Sequence, residues 1–168
     1  MGISGARGAP NRVHVDTEIL RYAFDPMEVR DLKERARSLF HGAKPQVLCS
    51  APAAGEFAFV LAKDIIEQGG DVSRYEDAMR TFYQYVEEGK LICEMFGSSP
   101  SRAFEIAFDL QAEDPQLSPT DIAILACFLA DRKSSVLYTT DQDIQTSLAV
   151  SGKVRAASKR IRDLPSLD

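Results

Sequence analysis

The sequence predicts one mixed α/β domain. Its 168 residues are enough to bury a core, and 45% hydrophobic with 27% charged residues is ordinary for a globular chain. Short apolar runs alternate with longer segments of helical periodicity, which is the pattern of an α/β protein. The chain has no internal repeat and no low-complexity tract. We therefore expect an N-terminal extension over residues 1–11 and a single domain over residues 12–168.

Turn residues bound each predicted element. The strands are residues 12–15, 46–49, 90–96 and 135–138, and the helices are residues 18–23, 26–40, 52–68, 72–88, 101–111, 118–133 and 143–150. In the second helix we place Asp25 as the N-cap, Pro26 as the first helical residue and Glu28 as a capping-box partner. Glycines follow several helix ends, as is typical of C-caps. The pattern of residues 153–161 fits either an edge strand or a helix.

The composition limits the cellular compartments in which we expect the protein. The longest apolar run, residues 122–130, is too short for a membrane span, which takes roughly 20 residues. Residues 1–11 lack the apolar region of a secretory signal. Cys49, Cys93 and Cys127 are far apart and form no CxxC motif, which favours free thiols in a reducing compartment. We expect a cytoplasmic protein that does not enter the membrane.

Charge is distributed unevenly along the chain. The net charge is −5, yet residues 151–162 carry five basic side chains and no acid. This segment can either solubilise the terminus or bind phosphates of a nucleic acid. The candidates for RNA contact are Lys153, Arg155, Lys159 and Arg160.

Acidic residues follow the predicted strands. Asp16 comes directly after the first strand, Asp141 lies just beyond the strand 135–138, and Asp121 begins the helix that leads into that strand. Each has a structural explanation as a helix cap. If the two strands are parallel neighbours, however, Asp16 and Asp141 face the same crevice. With only two histidines in the chain, a metal held there has carboxylate ligands, which suit Mg²⁺ or Mn²⁺ and metal-assisted phosphoryl chemistry.

Four short motifs together resemble a known family. They are VHVDT at 13–17, GEF at 55–57, SPTDIA at 118–123 and LYTTDQDI at 137–144. Their order and spacing resemble those of the PIN-domain ribonucleases, a family that includes the toxins of VapC-type toxin–antitoxin pairs. The resemblance covers residues 12–68 and 117–150, and it leaves 72–116 as an inserted helical segment. It implies a three-layer α/β/α sandwich with a mainly parallel sheet and a pocket that hydrolyses RNA with Mg²⁺ or Mn²⁺.

The resemblance also implies roles for individual residues. The acidic quartet, implied to be catalytic, is Asp16, Glu56, Asp121 and Asp141. The implied metal ligands are three of these, Asp16, Asp121 and Asp141, together with Asp143. Thr17 and Thr139 match supporting hydroxyl residues. Glu56 also fits a solvated helix face, and Glu94, at the end of the ambiguous strand, is an alternative fourth acid.

The biological role stays open at this point. The leading hypothesis is a metal-dependent endoribonuclease of single-stranded RNA, the toxin of a toxin–antitoxin pair or an RNA-processing enzyme. Its expected partners are RNA, an antitoxin protein and a second copy in a homodimer. The alternative is a catalytically weak or inactive scaffold that binds RNA or protein. The apolar stripe Tyr75, Met79, Phe82 and Val86 is predicted to be core.

Overall fold

Thirteen regular elements make up the part of the chain that the structure describes. The computed structural model describes residues 12–42, 45–95 and 99–166, so the predicted extension over 1–11 lies outside the described residues. The strands are β1 Arg12–Val15, β2 Gln46–Ser50, β3 Leu91–Glu94, β4 Ser134–Tyr138 and β5 Arg160–Arg162. The helices are α1 Thr17–Phe24, α2 Arg30–Ser38, α3 Ala51–Glu67, α4 Ser73–Glu87, α5 Pro100–Glu113, α6 Pro119–Ala130, α7 Gln142–Thr146 and α8 Leu148–Ala156.

The five strands form one parallel sheet in the order β3-β2-β1-β4-β5. Helix α1 packs against α2, α3 and α4, and α5 packs against α6 and α8. This arrangement is an α/β fold consistent with the three-layer sandwich expected from the sequence. The register aligns Val15 of β1 with Cys49 of β2 and with Tyr138 of β4. The chain that follows β1 and β4 therefore emerges at one edge of the sheet, the carboxyl edge.

An aromatic cluster joins α4 to the rest of the core. Phe24 lies at the centre, with ring centroids 5.6 Å from Phe82 and 5.1 Å from Tyr85 on α4. Phe40 and Phe57 complete the cluster. Such tilted and edge-to-face pairs add to the free energy gained from burial. The predicted stripe on this helix is confirmed as core, because Phe82 is buried and its other members pack against the core.

The predicted start of the second helix is wrong. Asp25 is the C-cap residue of α1, and α2 begins only at Arg30. The Asp25 carboxylate is buried and accepts two hydrogen bonds from the Arg74 guanidinium, at 2.9 and 2.5 Å, and one from the Met27 N–H. Burial raises the pKa of Asp25, but these bonds outweigh it and lower the pKa below its ordinary value. The strong pairing with a guanidinium takes precedence over helix capping.

The carboxyl-terminal part also differs from the prediction. The single helix predicted over 143–150 is two helices, α7 and α8, because Ser147 interrupts the first and caps the second through the Val150 N–H. The basic segment 153–161 is neither wholly helix nor wholly strand: it contains the end of α8 and the start of β5. The ambiguous strand over 90–96 is real but shorter, and Phe96 lies outside the described residues.

A buried polar network ties β1 to the end of α6 and the start of β4. The Asp131 carboxylate accepts hydrogen bonds from His14 Nε2 at 3.1 Å, from the Ser134 hydroxyl at 2.6 Å and from the Lys133 N–H at 2.9 Å. Burial raises the pKa of Asp131, but these donors outweigh it and hold the pKa well below its ordinary value. The Lys159 ammonium binds the carbonyl oxygens of Asp131 and Ser134 and so joins β5 to the network.

No helix within the described ranges is long and apolar enough to cross a membrane.

We expect Asp131→Asn to lower the free energy of unfolding by about 2–4 kcal/mol at pH 7, because it leaves buried donors without their charged acceptor. A carboxyl group whose pKa is lower in the folded state stabilises the fold above its unfolded pKa and loses this effect as the pH falls through the folded pKa. The difference between wild type and variant should therefore shrink below about pH 4. Urea unfolding at pH 7 and pH 3 measures it, with the exposed Asp77→Asn as the control. Equal losses in both variants would contradict the role assigned to the network.

Candidate functional site

A pocket of about 150 Å³ lies at the carboxyl edge of the sheet. Its lining includes five carboxylate side chains and no basic side chain among the described residues. The acids are Asp16, Glu18, Glu56, Asp121 and Asp141, and Thr17, Val60, Ser118 and Ile124 complete the lining. The four acids of the predicted quartet therefore meet in one place, contributed by the connection after β1, by α3, by α6 and by the connection after β4.

Asp16 is the most deeply buried acid of the pocket, with 3% of its surface exposed. Its backbone N–H donates to the Tyr138 carbonyl at 3.2 Å, and its Oδ1 caps α1 by accepting from the Ile19 N–H at 3.0 Å. Burial raises the pKa of Asp16 to about 7 and outweighs the hydrogen bonds from Thr139 and Ile19; the charges of neighbouring acids raise it further. With a pKa of about 7, the Asp16 carboxyl group is about half protonated at neutral pH when no cation is bound.

Thr139 joins Asp16 to Asp141. The Thr139 side chain is fully buried, hydrogen-bonds to the Asp16 carboxylate and accepts from the Asp141 N–H at 3.0 Å. Asp141 Oδ1 then caps α7 by accepting from the Asp143 N–H at 2.7 Å. This geometry is compatible with the supporting role predicted for Thr139. The effect of Thr139 on function stays a prediction.

Asp121 and Glu56 are held by neighbouring hydroxyl groups. Asp121 Oδ2 accepts a hydrogen bond from the Ser118 hydroxyl at 2.6 Å. The Asp121 N–H in turn donates to the Ser118 hydroxyl oxygen, as expected for a capping box. Burial raises the pKa of Asp121, and the negative charges of Asp141 and Glu56 add to the rise. Glu56 accepts a hydrogen bond from the Thr17 hydroxyl. Its position in the pocket disfavours the solvated-face interpretation.

Two acids suggested by the sequence lie elsewhere. Asp143 is exposed in the first turn of α7 and does not line the pocket. Glu94 forms an ion pair with Arg12 at 3.1 Å and does not line the pocket either. The structure thus places Glu56, rather than Glu94, beside the other three acids. Asp143 reaches the site only through its N–H, which binds Asp141.

Sequence reasoning missed Glu18. It lies in the first turn of α1, lines the pocket and has a pKa raised chiefly by burial and secondarily by nearby acids, against the lowering effect of Arg21. Its position two residues after Asp16, within the same helix start, was the available signal.

The structure does not bring the four basic candidates to the pocket lining. Lys153 pairs with Glu113 at 2.9 Å and with Asp109 at 3.6 Å. Lys159 lies over the Phe128 ring at 4.7 Å and is bound to backbone carbonyls near the start of β4, at the opposite edge of the sheet. Burial lowers the pKa of Lys159 to about 8. Arg155 and Arg160 are exposed and stay candidates for phosphate contact.

The donor chemistry of the pocket fits a hard divalent cation, since it consists of carboxylate and hydroxyl oxygens. In the arrangement of the described residues, however, no three acidic, histidine or cysteine side chains converge as a set that could hold a metal ion. One oxygen of each quartet acid is bound to a nearby N–H or hydroxyl group. A carboxylate has two oxygens, so a cap and a metal ligand are compatible roles for the same side chain.

An apolar groove adjoins the acidic pocket and shares Glu56 and Val60 with it. The groove has a volume of about 570 Å³ and lies between α3 and α6. Its other lining residues are Pro52, Gly55, Phe59, Pro119, Thr120 and Ala123. Phe59 is 68% exposed, which is unusual for a large aromatic side chain.

Comparisons with known proteins relate the chain through its fold. No family model and no curated protein matches it. It is similar to the crystal structure of VapBC2 from Rickettsia felis bound to a DNA fragment from their promoter, with 12% identity and a TM-score of 0.62 over 92% of this chain and 99% of that one. It is also similar to the crystal structure of FitAcB from Neisseria gonorrhoeae, with 13% identity and a TM-score of 0.50 over 89% and 95% of the two chains.

The family assignment predicted from the sequence is corrected by these findings. The motifs predicted a member of the PIN-domain ribonucleases, but no family model matches the chain. The similar solved structures are VapBC2 bound to DNA and FitAcB, and at 12% and 13% identity they show a shared fold alone. The pocket and its residues therefore have to support any function on their own.

We expect Asp16→Asn to raise the free energy of unfolding by about 2–4 kcal/mol at pH 8. A carboxyl group whose pKa is raised in the folded state contributes stability below its unfolded pKa, near 4, and loses it as the pH rises through the folded pKa of about 7. The gain should therefore vanish below about pH 4, which urea unfolding at several pH values measures.

Asp16→Ala serves as the matched control for this prediction. Asparagine keeps an oxygen for the Ile19 N–H, whereas alanine loses the cap, at a cost of about 1 kcal/mol. Alanine should accordingly be the less stable of the two variants at every pH. The raised pKa would be contradicted if the free energy of unfolding of each variant differed from that of wild type by the same amount at pH 4 and at pH 8.

Proposed function

We propose that the protein is a divalent-metal-dependent endoribonuclease that hydrolyses phosphodiester bonds of single-stranded RNA in the acidic pocket. The observation that carries the proposal is the meeting of Asp16, Glu56, Asp121 and Asp141, from separate elements, in one pocket whose described lining has no basic residue. Acids gathered in one pocket repel one another, and burial together with these neighbouring charges raises the pKa values of Asp16 and Asp121. A divalent cation relieves this repulsion.

Each acid has a role under this proposal. Asp16, Asp121 and Asp141 would hold Mg²⁺ or Mn²⁺, and Glu56, kept in place by Thr17, would complete the negative environment. A bound cation of this type supplies a water of lowered pKa and polarises the scissile phosphate. Thr139 orients Asp16 and the Asp141 backbone relative to each other. Their positions at helix N-termini limit the motion of Asp16, Asp121 and Asp141 and keep these three acids at the pocket.

The groove next to the pocket favours a single-stranded substrate. Unpaired bases stack on exposed aromatic rings, and Phe59 offers such a ring beside Glu56. Arg155 and Arg160 are exposed and carry the positive charge that a phosphate chain requires. A duplex is a poorer substrate because its bases remain stacked on one another.

The similarity to VapBC2 and FitAcB supports a role in a toxin–antitoxin pair, with this chain as the toxin. An antitoxin segment that places apolar side chains in the groove and a basic side chain among the five acids would match both surfaces. Such a segment would block substrate and neutralise the acidic cluster at once.

A second candidate is a scaffold that binds RNA or protein with little or no catalysis. The observation in its favour is that no three ligating side chains of the described residues converge on a common point. Under this alternative, the acids act as helix caps, and the pocket and groove are only a docking surface.

Purified protein should cleave a labelled single-stranded RNA with Mn²⁺ or Mg²⁺ and not with EDTA. Asp16→Asn and Asp121→Asn should each reduce the rate by about 100-fold or more, because each removes a charged ligand from the cation. Glu56→Gln should reduce it as well, whereas Glu94→Gln, outside the pocket, should retain wild-type activity. Calorimetry with Mn²⁺ alone provides the independent measure of metal binding. No cleavage together with no Mn²⁺ binding would establish the scaffold instead.

Induced expression of the wild-type chain in a bacterial host should arrest growth if the protein is a toxin. Asp121→Asn, expressed to the same level, should leave growth unaffected, because the variant keeps the fold and loses the cation site. Growth curves and total RNA profiles taken after induction measure the effect. Cleavage of RNA in vitro without growth arrest would favour an RNA-processing enzyme, and arrest by the variant would exclude catalysis as the cause.

A further inference from the structure

Two cysteines lie side by side on neighbouring strands, away from the residues that line the acidic pocket. Cys49 of β2 is the register partner of Cys93 of β3. Partners in a parallel ladder project from the same face of the sheet. Cys49 is completely buried, whereas Cys93 is exposed on the outermost strand. One thiol of the pair is therefore open to reagents, and the other is shielded from them.

The two thiols differ in pKa as well as in exposure. The Cys49 thiol donates a hydrogen bond to the Cys93 sulfur, which lowers the pKa of Cys93 to about 7 and, together with burial, raises the pKa of Cys49. The thiolate is the form of cysteine that reacts with peroxides and alkylating agents. Cys93 is thus the attacking sulfur of the pair, and Cys49 is the sulfur that can resolve the product.

Strand geometry permits a bond between the two sulfurs. Adjacent strands are about 4.8 Å apart, which lies within the range of roughly 4.4–6.8 Å between Cα atoms found for disulfides. The Cβ atoms have to approach slightly more closely than a relaxed ladder allows, so the bond is strained and easily reduced. This combination suits a reversible link better than a permanent staple.

We infer that Cys49 and Cys93 form a hydroperoxide-sensitive dithiol, a modification site at the β3 edge of the sheet. The Cys93 thiolate attacks one oxygen of hydrogen peroxide, the O–O bond breaks and hydroxide leaves, so that Cys93 becomes a sulfenic acid. The Cys49 sulfur then attacks the Cys93 sulfur, the S–O bond breaks, and the Cys49 proton with the departing hydroxide forms water. Two electrons from the thiols have reduced one peroxide, and a dithiol reductant restores the starting state.

The third cysteine provides an internal comparison. Cys127 is buried in α6, and burial raises its pKa to about 11. It should therefore react far more slowly than Cys93 with the same reagent. The inference does not depend on whether the acidic pocket cleaves RNA, because neither sulfur lines that pocket.

The reduced full-length chain, treated with a small excess of hydrogen peroxide and then blocked with an alkylating agent, tests the inference by intact mass and peptide mapping. Wild type and Cys127→Ala should lose two hydrogen atoms through an intramolecular Cys49–Cys93 link that dithiothreitol reverses. Cys49→Ala and Cys49→Ser should instead hold a sulfenic acid at Cys93 that dimedone captures. A sulfinic acid on wild-type Cys93, a dimer linked through Cys93, or equal oxidation of Cys127 would overturn the inference.

Alkylation rates at pH 7 distinguish the effect of the hydrogen bond on Cys93 from the effect of having a second sulfur beside it. Cys49→Ala removes the donor and should slow labelling of Cys93 by about fivefold to tenfold, since the loss of thiolate is partly offset by higher intrinsic nucleophilicity. Cys49→Ser keeps a hydroxyl donor and should label nearly as fast as wild type. Identical rates in the alanine variant and wild type would show that Cys49 does not activate Cys93. Near-ultraviolet circular dichroism verifies that both variants are folded.

Discussion

The pocket depends on the parallel hydrogen bonding of β1 to a strand on each side. Val15 is aligned with Cys49 on one side and with Tyr138 on the other, so the residues that follow these strands leave the sheet at the same level. Asp16 is then further fixed by its N–H bond to the Tyr138 carbonyl. A slip of one residue in either pairing would turn buried side chains to the wrong face and separate the acids. The register of the sheet therefore determines where the site lies, and the side chains then determine its chemistry.

Capping and site formation follow from the same geometry. In a parallel sheet with strand-to-helix connections, each such helix begins at the carboxyl edge, so an acid at its N-cap faces the crevice there. Asp16 caps α1, Asp141 caps α7 and Asp121 shares a capping box at the start of α6. The helix termini supply N–H donors and partial positive charge, which allow negative charge to be concentrated in a small volume. Burial, with a smaller contribution from the charges of Glu18 and Asp141, still raises the pKa of Asp16.

The sequence was informative where local rules and the fold agree. Alternating apolar runs predicted four of the five strands, and the position of acids after two of them predicted which residues would meet. It failed where a distant partner decides the outcome. The residues next to Asp25 in the sequence are those of an N-cap, yet its carboxylate is bound by Arg74, which lies far along the chain. The choice between Glu56 and Glu94 likewise depended on tertiary contacts, because Arg12 pairs with Glu94 across the intervening strand β2.

The family resemblance shows a further limit of motif reading. Short motifs with few specified positions describe only where acids stand relative to strands, and a match to them carries a risk of being a false positive. They identified the meeting of the acids correctly but not a family, since the comparisons support only a shared fold. Charge in a sequence also does not reveal that the Lys159 ammonium lies over Phe128 and binds backbone carbonyls.

The two outer strands affect how copies of the chain behave toward one another. Strand β3 has four residues, and β5 has three, two of which are exposed arginines. Every sheet edge offers unpaired backbone groups to the strands of other molecules, and short, charged edges are poor templates for such pairing. Within the described residues, the sheet thus ends at five strands, with β5 as one outer strand. Crowded solutions of the protein should stay free of the intermolecular β-structure that longer apolar edges promote.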